Sequence, residues 1–482
     1  MTRLARVLAI DLGTSSVKVG LINGNLHVLA TSSTSYSTFS DEPGMAEQRP
    51  SHWLDGIQRA VLEALEANED GVDAVVLTAQ MPTLVALDLR GDVIGNAVTW
   101  QDSRADALVD STLDSLSRRR VRDLSGTPVD GRYVIPMHLR RVTDTSYSPA
   151  TLLSAKDFLF FSLTGELVTD PSTASGFASL EVATGSWSAE LSDLWGVGRE
   201  MLPTIANPNY SAALSDAGSK LLPGVKSGTP VVVGSADSVC AHHFVTSFFG
   251  DSISVIDGSS TVIMASLEPA TAIRDEMLVT PLVNSTQRGV ELDLLATGSS
   301  VAWLAALLEM TPAALEELAL VTSRAVASDV LFFPYLAGGE QGVLWRTDIL
   351  GTIGQLTLGV TRGDLALALF EGIAIETLRC VELLTQARPV ERVVSCASSQ
   401  GRGLGASLIA ALLDVPVIAL DVQSPSLLGA ALIALEKVGS TSGDLPAADT
   451  LISSPPQLDH EYRAALAVKV RRYLELAPRR MA

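Results

Sequence analysis

The start of the chain alternates between short apolar runs and small polar turns. The apolar runs 7–10, 16–22 and 26–31 are separated by turns at 13–15 and at Asn23-Gly24-Asn25. Asn-Gly between apolar runs is a strong hairpin signal, because both residues tolerate a positive φ. The pattern therefore predicts a three-stranded antiparallel meander.

The hydrophobic period then changes to that of a helix. Residues 51–68 carry apolar side chains at i, i+3 and i+4 spacing, which predicts an amphipathic helix. Strands are predicted over 72–77, 83–88 and 93–100, so the order is typical of an α/β fold. Further predicted elements are helices at 150–164, 188–196, 361–384, 403–413 and 426–438, and strands at 230–234, 252–258, 261–267 and 393–397.

Two segments far apart in the chain share one pattern. Residues 9–17 and 255–262 match with one residue deleted, and each consists of strand, acidic residue, hydroxyl-rich turn and strand. We interpret this as an internal duplication, although chance similarity of short strand–turn–strand segments is the alternative. The length of 482 residues exceeds what one hydrophobic core supports, about 250–300 residues. We therefore predict two domains, 1–242 and 243–482.

Composition excludes several classes of partner. The net charge of −20 disfavours binding to nucleic acid or anionic membranes, which requires basic patches. The most apolar stretch, 405–420, is interrupted by Asp414 and Pro416, so we expect no membrane span and a cytoplasmic protein. Three widely spaced cysteines predict buried free thiols rather than a zinc site or disulfides.

The turn 11–16 is a candidate phosphate site. A tight turn of small residues directs backbone N–H groups at one point, and hydroxyl groups add donors. Asp11, at the end of the strand, could hold Mg²⁺ through water, because Mg²⁺ keeps several waters and uses few carboxylates. A plain hairpin with a polar turn is the alternative, and the second copy at 258–261 makes it less attractive.

A second candidate, Asp237, ends a predicted buried strand. A carboxylate there could take the proton from a substrate hydroxyl as a general base. The alternative is a helix N-cap, a position that Asp favours.

The segment 100–104 is a third candidate. An indole face at Trp100, with Asp102 and Arg104, suits a polyol that has apolar C–H faces and many hydroxyls; a surface salt bridge beneath a core Trp is the alternative. Gln80 and Met81 follow a neighbouring strand, and ligands of α/β sheets bind outside the carboxyl ends of strands.

Together and in this order, these segments resemble the FGGY carbohydrate kinases. The resemblance extends over nearly the whole chain, through residues 10–18, 100–104, 163–176, 237, 332–340, 371–372 and 427–431. It implies an actin-like ATPase fold with two ribonuclease-H-like domains and a central cleft. It also implies ATP-dependent phosphorylation of a small sugar or polyol, with ATP and Mg²⁺ as cofactors.

The resemblance also implies a role for individual residues. Asp237 is the expected catalytic base and Asp11 the expected Mg²⁺ residue. Sugar contacts are expected from Gln80, Met81, Trp100, Asp102 and Arg104. Nucleotide contacts are expected from Gly13, Thr14, Ser15, Gly258, Ser259, Ser260, Thr261, Gly298, Ser399 and Gly403.

Some positions depart from the family pattern. Ala397-Ser398-Ser399 stands where a Gly-Gly pair usually contacts adenosine, and Pro82 replaces a His expected of xylulose kinases. A ketopentose such as xylulose is the first substrate that we would test. A catalytically degenerate protein that binds nucleotide or sugar as a sensor is the alternative. The sequence leaves the oligomeric state open, with a homodimer as one option.

Overall fold

The computed structural model describes residues 4–66, 70–283, 286–324, 328–396, 403–439 and 445–479. The chain forms two compact units. The first comprises Met1–Phe244, Val279–Arg288 and Pro425–Pro446; the second comprises Val245–Leu278, Gly289–Ser424 and Ala447–Ala482.

Most elements up to residue 249 belong to the first unit. The strands are β1 Arg6–Leu12, β2 Ser16–Asn23, β3 Val28–Ser35, β4 Glu47–Gln48, β5 Ala74–Ala79, β6 Thr83–Leu87, β7 Ala97–Thr99, β8 Thr151–Leu153, β9 Val168–Thr169, β10 Leu180–Glu181, β11 Ser186–Trp187, β12 Thr204–Ile205, β13 Ser211–Ala213 and β14 Pro230–Ala236. The helices are α1 Pro50–Leu65, α2 Asp106–Thr112, α3 Ser115–Ser125, α4 Val134–Arg141, α5 Ala155–Thr164, α6 Pro171–Ser175, α7 Ala189–Trp195 and α8 Asp237–Phe249.

The rest of the chain adds a second set of elements. The strands are β15 Ile253–Asp257, β16 Thr261–Leu267, β17 Leu278–Pro281, β18 Arg288–Leu294, β19 Leu331–Phe333, β20 Thr352–Gly354, β21 Val393–Cys396, β22 Val417–Leu420 and β23 Ile452–Ser453. The helices are α9 Gly298–Leu307, α10 Pro312–Thr322, α11 Arg362–Ala387, α12 Leu404–Leu412, α13 Pro425–Lys437 and α14 His460–Leu476.

The predicted meander is present in the first unit. The main sheet runs β13–β14–β5–β1–β2–β3, with β1, β2 and β3 consecutively antiparallel. β1 and β14 both run parallel to β5, so β5 lies between two parallel neighbours. Helix α1 packs on β2 and β3 and buries Trp53. The Trp53 and Phe158 rings pack edge-on, with their centroids 6.2 Å apart.

The predicted helix 150–164 is wrong in its first turn. Thr151–Leu153 forms β8, which pairs antiparallel with β6, and the helix starts only at Ala155. The Asp157 carboxylate accepts the backbone N–H of Ser154 at 3.1 Å and so fixes the helix start. Tertiary pairing of an apolar strand overrides the helical spacing there, a common limit of periodicity.

The second unit repeats the arrangement around β1. β15 pairs antiparallel with β16 and parallel with β21, as β1 does with β2 and β5. The sheet runs β17–β18–β16–β15–β21–β22–β23. The topology thus agrees with the duplication inferred from residues 9–17 and 255–262.

The two units are not contiguous in sequence. Helix α13 packs against β1, β5 and β14, so Pro425–Pro446 lies with the first unit. The contact is close, because a Cβ on Gly429 would come within 1.8 Å of the Cys240 carbonyl oxygen. The division into 1–242 and 243–482 had assigned this segment, and Val279–Arg288, to the second domain. Among the described residues, no helix is long and apolar enough to cross a membrane.

Candidate functional site

Three candidate residues of the first unit, Asp11, Gln80 and Asp237, lie where three parallel strands end. The register places Asp11 opposite Thr78, and Thr78 opposite Ser235, across β1, β5 and β14. Gln80 follows β5, and Asp237 directly follows β14 as the first residue of α8. The three carboxyl ends therefore meet at one edge of the sheet, the usual ligand-binding edge in α/β folds.

One of the two oxygens of the Asp11 carboxylate accepts a hydrogen bond. Ser426, at the start of α13, donates its hydroxyl to Oδ2 at 2.7 Å. Oδ1 is buried and has no hydrogen-bond partner among the described residues. Burial raises the pKa of Asp11, while Lys18 and the Ser426 hydrogen bond lower it. A buried carboxylate oxygen without a donor fits a cation such as Mg²⁺, which prefers oxygen ligands.

Tyr36, which directly follows β3, is a further residue of this site. Its hydroxyl donates to the Gly13 carbonyl, so it lies against the candidate phosphate turn. Burial raises the pKa of Tyr36, and the negative charges of Asp11 and Asp237 raise it further. Sequence reasoning missed Tyr36, because a Tyr after a strand carries no motif.

The turn after β1 is closed by a hydrogen bond of its own and is also bonded to two residues outside it. The Gly13 N–H donates to the Ser16 carbonyl at 3.0 Å, and the Tyr36 N–H donates to the Ser15 carbonyl at 3.1 Å. The Trp100 indole N–H donates to Thr14 Oγ1 at 3.2 Å. The structure thus brings two separate predictions together, the phosphate turn and the segment 100–104.

Gln48 is a second residue that sequence reasoning missed. Its side chain is buried, donates to the Thr14 carbonyl at 2.7 Å, and accepts from the Trp53 indole at 3.0 Å. Gln80 Nε2 also donates to Gln48 Oε1, at 3.1 Å. The buried Gln80 Oε1 has no partner among the described residues and so remains available to a hydroxyl donor.

Asp102 and Arg104 pair with each other in the structure. Asp102 is 2% exposed and accepts from Arg104 Nε at 2.9 Å, from Arg104 Nη2 at 2.6 Å, and from the Ala46 N–H at 2.9 Å. Arg104 also binds Glu42 at 2.5 Å and Glu47 at 2.6 Å. This network holds the loop after Trp100, and a sugar contact from either residue stays a prediction.

Met81 packs over a glycine in the same unit. The Met81 methyl group lies 3.0 Å from where a Gly176 Cβ would stand, and the Met81–Pro82 peptide is cis. Met81 is half-buried, so part of its side chain faces solvent.

The second unit has its own hydroxyl-rich turn after β15. The Gly258 N–H donates to the Ser260 carbonyl at 2.8 Å, which closes a turn one residue shorter than that after β1. Thr261 Oγ1 lies 2.8 Å from both Asp257 Oδ1 and Thr297 Oγ1. Burial raises the pKa of Asp257 to about 6.

Gly298 is pressed against this turn. A Cβ at Gly298 would lie 2.1 Å from the Gly258 carbonyl oxygen, and the Ser299 N–H donates to the Ser259 carbonyl at 3.0 Å. Gly403 precedes α12 with a φ of 80° in the left-handed region, which favours glycine. Ser399 and the altered adenosine segment lie outside the described residues.

Metal binding by a cluster of side chains is not indicated in the part of the chain that the structure describes. There, no group of three or more His, Cys, Asp and Glu side chains could hold an ion. A cation at Asp11 would therefore take its other ligands from water and substrate, as Mg²⁺ commonly does.

Comparison with known families identifies the chain. Residues 6–243 match the N-terminal domain of the FGGY family of carbohydrate kinases, and residues 253–436 match the C-terminal domain of the same family. The chain belongs to the FGGY family of carbohydrate kinases. It is a carbohydrate kinase with the actin-like ATPase fold, as the resemblance predicted.

Individual relatives divide by substrate. The chain is 26% identical to the xylulose kinase of Bacillus subtilis, over 89% of this chain and 87% of that protein. It is 22% identical to the gluconokinase of Bacillus licheniformis, over 90% and 88%. The crystal structure of ligand-bound xylulose kinase from Lactobacillus acidophilus matches with a TM-score of 0.84 and 22% identity, covering 98% of this chain and 97% of that one.

Proposed function

We propose that this kinase transfers the γ-phosphate of ATP to a hydroxyl of a small sugar or polyol, with Asp237 as general base. The observation that supports this most directly is the shared edge of β1, β5 and β14. There Asp11, near the end of β1, and Asp237, directly after β14, lie at the ends of the two strands that flank β5. Phosphoryl transfer depends mainly on positioning and on neutralising charge, and this edge supplies residues for both.

In the proposed reaction, the Asp237 carboxylate accepts the proton of the substrate hydroxyl. The hydroxyl oxygen forms a bond to the γ-phosphorus, the bond to the β-phosphate oxygen breaks, and ADP leaves. The Ser238 N–H donates to Asp237 Oδ1 at 2.8 Å, which fixes one oxygen of the base. Mg²⁺ bound near Asp11 would neutralise phosphate charge.

Nucleotide binding is assigned to the two hydroxyl-rich turns. In the first unit the turn is Gly13, Thr14 and Ser15. In the second unit the turn is Gly258, Ser259, Ser260 and Thr261. Gly298, Gly403 and Ser399 are further residues to which we assign nucleotide binding. Backbone N–H groups in such turns bind phosphate without lysine, which suits a chain of net charge −20.

The proposed substrate is a ketopentose such as xylulose. The xylulose kinases among the relatives support this choice, and Gln80 Oε1 offers a buried acceptor for a sugar hydroxyl. Gluconate is the competing acceptor that the gluconokinase relative suggests.

A screen of ADP release with MgATP tests the proposal. The acceptors are ketopentoses, pentitols, glycerol, erythritol and sugar acids, each against a blank without acceptor. We expect acceptor-dependent ADP release, and its absence with every acceptor would overturn the proposal.

The base is tested with the best acceptor. Asp237→Asn, which keeps the size of the side chain, should lower kcat by about 10²–10⁴-fold, as loss of a general base does. Asp92→Asn, in an exposed hairpin turn, is the control and should leave kcat unchanged. Full activity of Asp237→Asn would show that another group takes the proton.

A further inference from the structure

The strand that directly precedes Asp237, β14, loses one of its two neighbours before it ends. β13 pairs with β14 only through Val232. The N–H groups of Val233 and Gly234 then donate to carbonyls of the chain just before β13. The Ala236 N–H, one residue before Asp237, donates instead to Ser172 Oγ at 3.0 Å. A side chain of α6 thus replaces the missing strand at the last peptide of β14.

The Ser172 hydroxyl is oriented for this task. The Ser172 hydroxyl donates a hydrogen bond to Asp170 Oδ2. The Ser172 N–H donates to the same oxygen at 2.9 Å. A hydroxyl has one donor and two acceptor lone pairs. Because its one O–H donates to Asp170, the Ser172 oxygen can only accept from other groups, and it accepts from the Ala236 N–H.

Asp170 is anchored in turn by a buried cation. Lys156 Nζ lies 3.1 Å from Asp170 Oδ1 and 3.3 Å from Asp157 Oδ1, and all three side chains are at most 1% exposed. Thr173 Oγ1 also donates to Asp170 Oδ1, at 2.6 Å. Charged groups withdrawn from water are retained only when they are paired and hydrogen-bonded. The buried network of Lys156, Asp170, Ser172 and the Ala236 N–H meets this condition, because each charged group in it is paired and hydrogen-bonded.

We infer that Ser172 and Asp170 are positioning residues for phosphoryl transfer, acting through the Ala236 N–H, one residue before Asp237. They fix the end of β14 and hence the position of Asp237, which follows it. The inference rests on the proposed role of Asp237 as base. A purely structural role, capping α6, is the competing explanation, because Asp170 precedes that helix and accepts its first N–H groups.

Two matched variants separate these explanations. Ser172→Ala removes the acceptor for the Ala236 N–H, whereas Thr173→Val removes a hydroxyl that donates to Asp170 Oδ1. Small misplacement of a catalytic group is costly, so we expect kcat of Ser172→Ala to fall by about tenfold or more. KM for sugar and for ATP should stay within about twofold, since the lost interaction acts on chemistry rather than on binding. Thr173→Val should keep kcat.

Rescue and coupling complete the test. Ser172→Thr, which retains a hydroxyl, should recover most of the lost kcat, and Ser172→Cys replaces Ser172→Ala if that variant does not fold. In single-turnover assays, Ser172→Ala should cost little further rate in an Asp237→Ala background, because residues that act as a unit are not additive. An equal cost in both backgrounds, or an equal kcat loss in Thr173→Val, would overturn the inference.

The outcomes distinguish this inference from the proposed function. If Asp237→Ala keeps full activity, the assignment of the base fails. If Asp237→Ala is inactive while Ser172→Ala keeps its kcat, the base stands and the positioning role fails.

Discussion

At the scale of single residues, the ion network around Asp102 shows that the side chains of a sugar-binding motif can already be bonded to other residues of the protein. The segment 100–104 suggested side chains open to a sugar. In the structure Arg104 neutralises Asp102, and both oxygens of that carboxylate accept hydrogen bonds. Removing one member of a buried pair leaves an uncompensated charge, which costs more than the pair contributes.

Arg104→Ala should therefore destabilise the protein strongly. We expect a loss of about 3 kcal/mol in the free energy of unfolding, typical of an orphaned buried charge. Denaturant unfolding followed by circular dichroism measures it. Arg90→Ala is the matched control, because Arg90 pairs with Asp88 and Asp92 on the surface and is 79% exposed. Exposed pairs contribute about 0–1 kcal/mol. Equal losses in the two variants would contradict a buried role for Arg104.

The sequence predicted the residues that stand in motifs but missed the residues that hydrogen-bond to them. Asp11, Thr14 and Trp100 each stood in a recognisable pattern, and the structure brings them to one edge of the first unit. Ser426 lies 415 positions from Asp11, and no spacing rule connects them. Gln48 was missed for a related reason: it contacts the site through its side-chain amide, which no local period reveals.

At the scale of elements, the two hydroxyl-rich turns are the part that hydrophobic patterning predicts best. The strands on both sides of each turn pair as expected, at Ser16–Asn23 and Thr261–Leu267. The deletion of one residue is visible in the hydrogen bonds, since Gly13 reaches Ser16 whereas Gly258 reaches Ser260. Periodicity failed at 150–164, because the pairing partner of β8 is distant in sequence.

Gly298→Ala should disturb the second turn. The added Cβ would meet the Gly258 carbonyl oxygen at 2.1 Å, so the backbone of the turn has to move. Because we assign phosphate binding to this turn, KM for ATP should rise by about tenfold, equivalent to 1.4 kcal/mol of lost binding. Steady-state kinetics with saturating sugar measures it.

Gly405→Ala is the matched control for that variant. Gly405 also lies in the first turn of a helix, α12, and among the described residues no atom beyond its chain neighbours and its own helix backbone lies within 4 Å of an added Cβ. Ala favours the helix by about 1 kcal/mol relative to Gly, so this variant should be as stable as the parent or more so. An unchanged KM for ATP in Gly298→Ala would argue against a nucleotide role for the turn.

At the scale of the whole molecule, buried titratable groups predict how stability depends on pH. Burial lowers the pKa of His138 and His243 to about 4 and that of His242 to about 3. A depressed His pKa means that the unfolded chain binds the proton more tightly. Its contribution to stability is complete above the unfolded pKa of about 6.5 and is lost as pH falls toward the folded value.

Buried carboxyls act in the opposite direction. Burial raises the pKa of Asp257 to about 6 and that of Glu340 to about 7. These groups stabilise the fold in their protonated form, so their contribution is lost as pH rises through those values. The two sets partly cancel, and a single histidine variant is therefore a sharper test than the parent curve.

His138→Gln should make the protein less sensitive to acid. His138 Nδ1 lies 3.0 Å from the Tyr147 hydroxyl, and Gln can keep a hydrogen bond there without titrating. Between pH 6 and 5, the free energy of unfolding should fall less steeply than in the parent, by about 1.4 kcal/mol per pH unit. Denaturant titrations at several pH values measure this slope. His27→Gln, at an exposed position, is the control variant for the substitution itself.

The return of α13 to the first unit has a consequence for the order in which the chain folds during synthesis. Domains usually fold as units from the N-terminus while the ribosome is still translating. Here β1, β5 and β14 are made early, but the helix that packs against them begins at residue 425. A nascent chain that ends before Pro425 carries that apolar face uncovered. The first unit is therefore completed only after Val245–Leu278 and Gly289–Ser424 of the second unit have been synthesised.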